Sequence, residues 1–250
     1  MKNLLLVFFT FFVCSISNSQ LTIDFPFKTY LDSLNNLNVT GNDFNELSNS
    51  MDITLEKYNS SGINFEFRFY ENFNGNDRGM DIAVDVNGNS YITGFIFNTK
   101  TQSNDIIILK YNSLGNLVWD QIIESPGDDK SYTIEIIEDQ ANNVNKIFIA
   151  GYKFVEGSQR NIFVCQLDES GIPVWQNEIK ASEKYSIATD LKVDAGFVYV
   201  CGYGYMEPEN GEDIIMLTLD KTSGEVVENG MLVHNIAGSH ERPTAFTLVN

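Results

Sequence analysis

Residues 50–69 read SMDITLEKYNSSGINFEFRF, and residues 103–122 read SNDIIILKYNSLGNLVWDQI. The two stretches belong to a longer match at an offset of 53 positions. When 39–62 is set against 92–115, 12 of 24 positions are identical without a gap. This agreement indicates a tandem duplication, and periods of this size are typical of repeat architectures in which each copy forms one supersecondary unit.

Two further copies follow with more divergence. The sequence YITGF at 91–95 recurs as FIAGY at 148–152 and as YVCGY at 199–203. We therefore divide the chain into a leader and a repeat region, 20–250. The predicted segments are a signal peptide at 1–19, repeats at approximately 23–75, 76–128, 129–182 and 183–239, and a partial repeat at 240–250.

Within the second copy, four runs with strand character are separated by turn signals. The dipeptide Asn87-Gly88 favours a tight hairpin turn. Gly115 ends another turn, at a position where glycine adopts a positive φ without steric cost. Four strands joined by three hairpin connections predict one antiparallel sheet in each copy.

The run IIIL at 106–109 indicates how these sheets assemble. A strand with one solvated face alternates apolar and polar residues, whereas four consecutive aliphatic residues need cover on both faces. Sheets packed face to face around an axis supply that cover. The predicted fold class is all-β, a β-propeller of four-stranded antiparallel blades with four repeats plus the start of a fifth, either incomplete or four-bladed.

The second copy, with DRGMDIAVDVNGNSYITG followed by DIIILKYNSLGNLVW, closely resembles the bacterial SBBP-type β-propeller repeat, which is typically seven-bladed. The resemblance implies a secreted or cell-surface propeller, and it carries over no catalytic residues. It favours a fragment of a longer protein, and a four-bladed ring in which the last strand clasps the first blade is the alternative.

Glycines and tryptophans at repeated positions are predicted to be structural. Trp119 and Trp175 follow a turn glycine by four residues, as in the G-x-x-x-W element of quinoprotein-type propellers. That similarity implies that each tryptophan docks one blade onto the next, without implying a cofactor. The full structural set is Gly41, Gly94, Gly151, Gly202, Gly62, Gly115, Gly171, Gly224, Trp119 and Trp175.

The first residues and the charge balance bear on location. Lys2, the apolar run at 4–13 and small residues before Gln20 predict export, with signal-peptide cleavage near Ser19-Gln20. Lipidation at Cys14 is the alternative. Loss of residues 1–19, which carry Lys2 and no acid, changes the net charge from −18 to −19. Such acidity disfavours nucleic acid as a partner, and no transmembrane segment is predicted.

Acid–base pairs recur where each copy begins. Because first strands line the axis of a propeller, we expect these residues to form a charged ring at one mouth of the channel. The ring is either a ladder of ion pairs between blades or a collar that binds a ligand. Its predicted members are Asp24, Asp77, Arg78, Asp129, Lys130, Glu183, Lys184, Glu241 and Arg242.

Candidate catalytic residues are few. His234 and His240 are the only histidines, and no nucleophile, metal-ligand or phosphate-binding motif occurs. No catalytic residue, metal or cofactor is predicted. Cys165 and Cys201 are expected to be buried thiols, with a disulfide as the alternative.

The main interpretation is therefore a protein that is not an enzyme but a binding or adhesion scaffold for extracellular protein or glycan. One alternative is an enzyme that acts on extracellular polysaccharide with carboxylates at the channel. In that case two or more carboxyl groups with perturbed pKa values should converge. The other alternative is a purely structural domain of a larger adhesin.

Overall fold

The structure is a computed structural model that describes residues 25–70, 75–139, 144–155, 159–206, 211–235 and 240–248. The predicted signal peptide and Asp24 lie outside these ranges. Within them the chain forms sixteen strands and no helix. No helix in these ranges is therefore long and apolar enough to cross a membrane.

The strands form four antiparallel sheets, each a simple meander of four consecutive strands. Each sheet lies within one predicted repeat. The strands are β1 Phe25–Leu31, β2 Leu37–Asn45, β3 Ser50–Tyr58 and β4 Asn64–Tyr70; β5 Arg78–Val84, β6 Ser90–Asn98, β7 Ser103–Tyr111 and β8 Leu117–Ile123; β9 Lys130–Asp139, β10 Val144–Val155, β11 Gln159–Leu167 and β12 Pro173–Ile179; β13 Ser186–Val193, β14 Phe197–Gly204, β15 Asp213–Asp220 and β16 Val226–His234.

The first strand of each sheet is the innermost. β1 packs against β5, β5 against β9, and β9 against β13, so the four sheets follow one another as blades around a common axis. The prediction of an all-β propeller is confirmed. Among the described residues, β13 and β1 do not form a comparably packed pair.

Segment 240–248 lies next to blade 4 where a further inner strand would stand. The Glu241 N–H donates to the Glu212 carbonyl at 2.8 Å, just as the Asp129 N–H donates to the Asn104 carbonyl at 2.8 Å. The Phe246 N–H donates to Asp190 at 3.0 Å. These contacts repeat the docking of β9 onto blade 2.

The aliphatic run in β7 is covered on both faces. Ile106, Ile107, Ile108 and Leu109 are each 0% exposed. Ile106 and Ile108 pack into a core shared with blade 3, whereas Ile107 and Leu109 pack into a core shared with blade 1. Each such side chain contributes roughly 1.5–3 kcal/mol through burial, so stability depends on contacts between blades.

Turn glycines and tryptophans link neighbouring blades at the outer edge. The Trp119 indole N–H donates to the Glu169 carbonyl in the following blade at 3.1 Å. Gly171, in the same turn, has φ +82°, and an added Cβ would lie 3.0 Å from the Trp119 ring. The Trp175 indole N–H donates to the Lys221 carbonyl at 3.1 Å in the same way. The free thiols of Cys165 and Cys201 are buried.

Central-strand glycines allow a bulge in each inner strand. A Cβ added to Gly94 would lie 1.9 Å from the Arg78 carbonyl oxygen, and one added to Gly151 would lie 2.0 Å from that of Lys130. Directly after each close approach the inner strand has a bulge. A β-bulge turns the side chains that follow it to a new direction.

Candidate functional site

The residue after each bulge occupies the same place in every blade. Pairing across the bulges makes Lys28 of β1, Asp81 of β5, Thr133 of β9 and Asp190 of β13 equivalent. We call these four residues the axial cluster. They comprise a lysine, a threonine and two aspartates, although the backbone around them repeats.

Two carboxyl groups of the axial cluster meet at one hydroxyl. Thr133 Oγ1 donates to Asp190 Oδ1 at 3.4 Å, and the same hydroxyl acts to lower the pKa of the Asp81 carboxyl. Asp81 and Asp190 therefore both lie next to Thr133. A threonine hydroxyl carries a single proton, so it donates to one of the two carboxyl groups at a time.

Burial raises the pKa of the Asp81 carboxyl above its ordinary value, although the Ile134 N–H, the Lys28 ammonium and the Thr133 hydroxyl act in the opposite direction. Lys28 Nζ lies 3.9 Å from Asp81 Oδ1, and the side chains are 52% and 8% exposed respectively. Solvent therefore reaches the axial cluster from the side of blade 1.

A second charged layer follows two residues further along the inner strands. Glu135 of β9 and Lys192 of β13 form an ion pair with a 3.5 Å separation. Burial raises the pKa of Glu135, and Lys192 opposes that shift. Lys192 Nζ is also 3.5 Å from Asp190 Oδ1, so it connects the two layers.

Both axial carboxylates also hold the backbone of the following strand. Asp81 accepts the Ile134 N–H at 3.0 Å, and Asp190 accepts the Phe246 N–H at 3.0 Å. Each also accepts the N–H of its own next residue, at 2.9 Å. These contacts fix the axial carboxyl groups in position and at the same time fasten one inner strand to the next.

The predicted charged ring is only partly assembled. Asp77 and Asp129 are fully buried, and their carboxylates accept the N–H of Phe97 and Phe154, each at 2.8 Å. Their neighbours Arg78 and Lys130 lie on the ring faces of Phe27 and Phe95 respectively, at 5.7 and 4.4 Å from the centroids.

The assignment of Glu183 and Lys184 to this ring is wrong. The predicted assignment requires Tyr185 to pair with Gly202, but Ala188 does so instead. Ser186 therefore occupies the position in blade 4 that Asp77 occupies in blade 2. The connection before β13, 180–185, has the same length as 124–129 before β9, but Glu183 and Lys184 lie inside it, three residues before the places equivalent to Asp77 and Arg78. Glu183 instead pairs with Lys180 at 3.2 Å, and Lys184 lies over Tyr205 at 4.1 Å from the ring centroid.

In the last, partial copy the predicted base does contact the preceding blade. Arg242 donates hydrogen bonds to the buried Glu212 carboxylate and lies over the Tyr203 ring, 4.8 Å from its centroid. Glu241 contributes its backbone N–H to the same blade. The arrangement resembles Lys130 over Phe95 two interfaces earlier, since Phe95 and Tyr203 both follow a central-strand glycine.

Fold and site together define a β-propeller with an acid–base cluster on its axis. Its fold is similar to that of two solved structures that are described as glycoside hydrolases. One is the GH43_1 enzyme from Xanthomonas citri complexed with xylose, at 10% identity and TM-score 0.42, covering 83% of this chain and 72% of that one. The other is CoXyl43, a GH43 β-xylosidase/α-arabinofuranosidase from a compost microbial metagenome, at 10% identity and TM-score 0.43, covering 84% and 77%.

No family model matches this sequence, and no curated protein matches it. The prediction of a non-catalytic binding scaffold is contradicted by the enzyme descriptions of the two solved structures, and so is the prediction that the chain is not an enzyme. We do not retain either prediction. Similarity at this level concerns the fold alone, so the activity has to be argued from the residues of this chain.

Proposed function

We propose that this chain is a glycan-acting hydrolase whose acid and base are carboxyl groups of the axial cluster. The observation that carries the proposal is the convergence of Asp81 and Asp190 on the Thr133 hydroxyl. Two carboxyl groups about 5–9 Å apart are the usual machinery of glycoside hydrolysis, and Asp81 and Asp190 both lie next to the Thr133 hydroxyl.

The two carboxyl groups would have different roles because their surroundings differ. Asp81, whose pKa is raised by burial, is the proton donor to the oxygen of the leaving sugar. Asp190 accepts two backbone N–H groups, as Asp81 does, and lies 3.5 Å from Lys192; we assign it the role of the partner that acts on water or on the sugar. Thr133 orients both groups and is a positioning residue.

The test is release of reducing ends from a panel of polysaccharides and aryl glycosides by the purified chain. Asp81→Asn and Asp190→Asn should each lower the rate by at least about 100-fold. Asparagine keeps an oxygen for one of the two backbone N–H groups that each carboxylate accepts, so circular dichroism has to confirm that each variant keeps the parent fold. Glu124→Gln, at an exposed carboxylate, should keep full activity.

If both asparagine variants keep the activity of the parent, the axial cluster takes no part in catalysis. An inactive parent across the whole panel would contradict the hydrolase proposal itself.

The second candidate is a structural domain of a larger adhesin. It is favoured by the same carboxylates, since each one fastens the backbone of the neighbouring strand. In that case the parent is inactive, and replacing Asp81 or Asp190 by alanine lowers the melting temperature without a change in any activity.

We also propose, on the sequence pattern alone, that the repeats are of the SBBP type and that the chain is a fragment exported to the medium or the cell surface. The expected processing site lies near Ser19-Gln20. Amino-terminal sequencing of protein recovered from the culture medium should begin at Gln20. Recovery only from the cytoplasm, with Met1 retained, would contradict export.

A further inference from the structure

Basic side chains gather at one end of the inner strands, in a chain of net charge −18. Lys130 and Arg160 flank a partly buried carboxylate, Asp128, and Arg78 lies close enough to Lys130 to lower its pKa. Lys130 Nζ is 3.8 Å and Arg160 3.4 Å from that carboxylate. Among the described residues, Arg78 has no carboxylate partner. We call the three bases the basic cluster.

The three cations are held by aromatic rings as well as by charge. Lys130 lies 4.4 Å from the Phe95 centroid, Arg160 lies 4.7 Å from that of Tyr152, and Arg78 lies 5.7 Å from that of Phe27. Burial lowers the pKa of Lys130, Asp128 opposes this shift, and the nearby Arg160 and Arg78 add to it. Like charges are therefore close enough to repel, and an anion placed between them would relieve that repulsion.

A cleft of about 470 Å³ opens beside these bases between blades 2 and 3. Its walls include Arg78, Lys130, Asn76, Asn104, Phe95 and Phe97. The equivalent cleft between blades 3 and 4, of about 400 Å³, is lined by Asp128 and Arg160. The first cleft combines two cations, two amides and two aromatic rings, which suits a sugar ring that carries an anionic group.

The cleft is connected to the axial cluster through the inner strands. Arg78 precedes Asp81 by three residues in β5, and Lys130 precedes Thr133 by three in β9. Three residues of strand span about 10 Å. The charged residues of the cleft therefore lie about 10 Å along the inner strands from the axial carboxyl groups.

We propose that the cleft between blades 2 and 3 binds the anionic unit of an acidic glycan, with Arg78 and Lys130 as its charge partners. This inference rests on the proposed hydrolase function, and it adds the substrate class. The acidic group is a carboxylate, as in a uronic acid, or a sulfate ester, and both offer the oxygen geometry that a guanidinium binds in a bidentate manner.

The test measures binding apart from turnover. Calorimetric titrations of the Asp190→Asn protein should compare a uronate oligosaccharide, a sulfated oligosaccharide and a neutral xylo-oligosaccharide of equal length. At least one anionic ligand should bind tenfold or more tightly than the neutral one, and this advantage should shrink as salt is raised. Equal affinity for all three would overturn the inference.

Side-chain replacements then locate the site. Arg78→Gln and Lys130→Gln should each weaken anionic binding about tenfold, a loss of about 1.4 kcal/mol, and should leave neutral binding unchanged. Lys100→Gln is the matched control, because it removes one exposed positive charge outside the cleft. If Arg78→Gln or Lys130→Gln melts well below the parent, the titration is repeated with Arg160→Gln. Arg160 lies at the rim of the adjoining cleft, so this variant should weaken anionic binding by less than tenfold. Unchanged anionic binding in the folded cleft variants would overturn the inference.

The two proposals fail in different ways. If the parent hydrolyses only neutral glycans, the hydrolase proposal stands and the acidic substrate class is wrong. If anionic ligands bind through Arg78 and Lys130 but no panel substrate is cleaved, the binding site stands and the hydrolase proposal is wrong.

Discussion

Strands β7 and β15 occupy the same place in blades 2 and 4, yet their surroundings differ. Every residue from Asp105 to Tyr111 of β7 is buried, whereas β15 alternates between buried and more exposed positions. Met216 of β15 is 38% exposed, and Leu232 of the adjoining β16 is 67% exposed. Blade 2 has a blade on each side. The difference shows that neighbouring blades provide the burial, because a single sheet covers neither of its own faces.

The largest expected effect contrasts these two strands directly. Ile107→Ala removes a side chain enclosed between blades 1 and 2, and we expect a loss of about 2–5 kcal/mol in the free energy of unfolding. Met216→Ala, on the open face of blade 4, should cost less than about 1 kcal/mol. Urea denaturation followed by circular dichroism measures both. Similar losses would show that the open face is packed in solution.

A smaller effect compares turn glycines with and without a neighbouring ring. Gly62 and Gly171 both have positive φ, at +75° and +82°. A Cβ on Gly62 meets nothing within 4 Å, whereas one on Gly171 meets the Trp119 ring. Gly62→Ala should cost about 1–2 kcal/mol from backbone strain alone, and Gly171→Ala should cost more because the ring has to shift. Thermal melting of the two variants ranks them, and equal losses would mean that the tryptophan yields without cost.

The smallest expected effect concerns pH and the axial cluster. The folded-state pKa of Asp81 is raised by burial, so the folded protein retains this proton more strongly than the unfolded chain does. The corresponding stabilisation is present at low pH and is lost as pH rises from the ordinary aspartate value of 3.8 through the raised value. The melting temperature of the parent should fall through this effect as pH rises from about 3.5 to 7. The melting temperature of Asp81→Asn should not show this contribution.

The control for this pH series is Glu124→Gln, which changes an exposed carboxylate on the connection after β8. Its pH profile should follow that of the parent. If Asp81→Asn follows the parent equally closely, Asp81 does not hold its proton in the folded state.

Much of the fold could be predicted from local sequence. The run at 106–109 requires cover on both faces, and Gly62, Gly115 and Gly171 mark turns by their positive φ. These features depend on a residue and its immediate neighbours in the chain. Comparison of the copies then placed each of the four sheets.

The axial cluster could not be predicted in the same way. Lys28, Asp81, Thr133 and Asp190 share a position, but only the two aspartates share a chemical type, so no motif repeated in all four copies marks them. Their convergence depends on bulges in four strands and on packing between blades. Counting back from the central-strand glycines aligns only Lys28 and Asp81, because the hairpins that follow Thr133 and Asp190 differ in length.

Arg160 was missed for a related reason. It is the second residue of β11 and lies in no inner strand, yet it lies over Tyr152 as Lys130 lies over Phe95. In blade 4, Ile187 stands where blades 2 and 3 have Arg78 and Lys130, and Arg160 supplies a cation from the preceding blade. The sequence signal that could have indicated a cation at this place was the aromatic residue that directly follows a central-strand glycine.

The glycine opposite each bulge has one more consequence. The backbone oxygen of one inner-strand residue fills the space above each of these glycines: Arg78 above Gly94, Lys130 above Gly151 and Ile187 above Gly202. The main chain alone therefore determines where the axial-cluster side chain, three residues further along, is placed. Lysine, aspartate and threonine all occupy this position in one blade or another, and the strand pairing around it is the same in each. A substitution at one of these four positions can therefore change the chemistry at the propeller axis while the backbone around it stays the same.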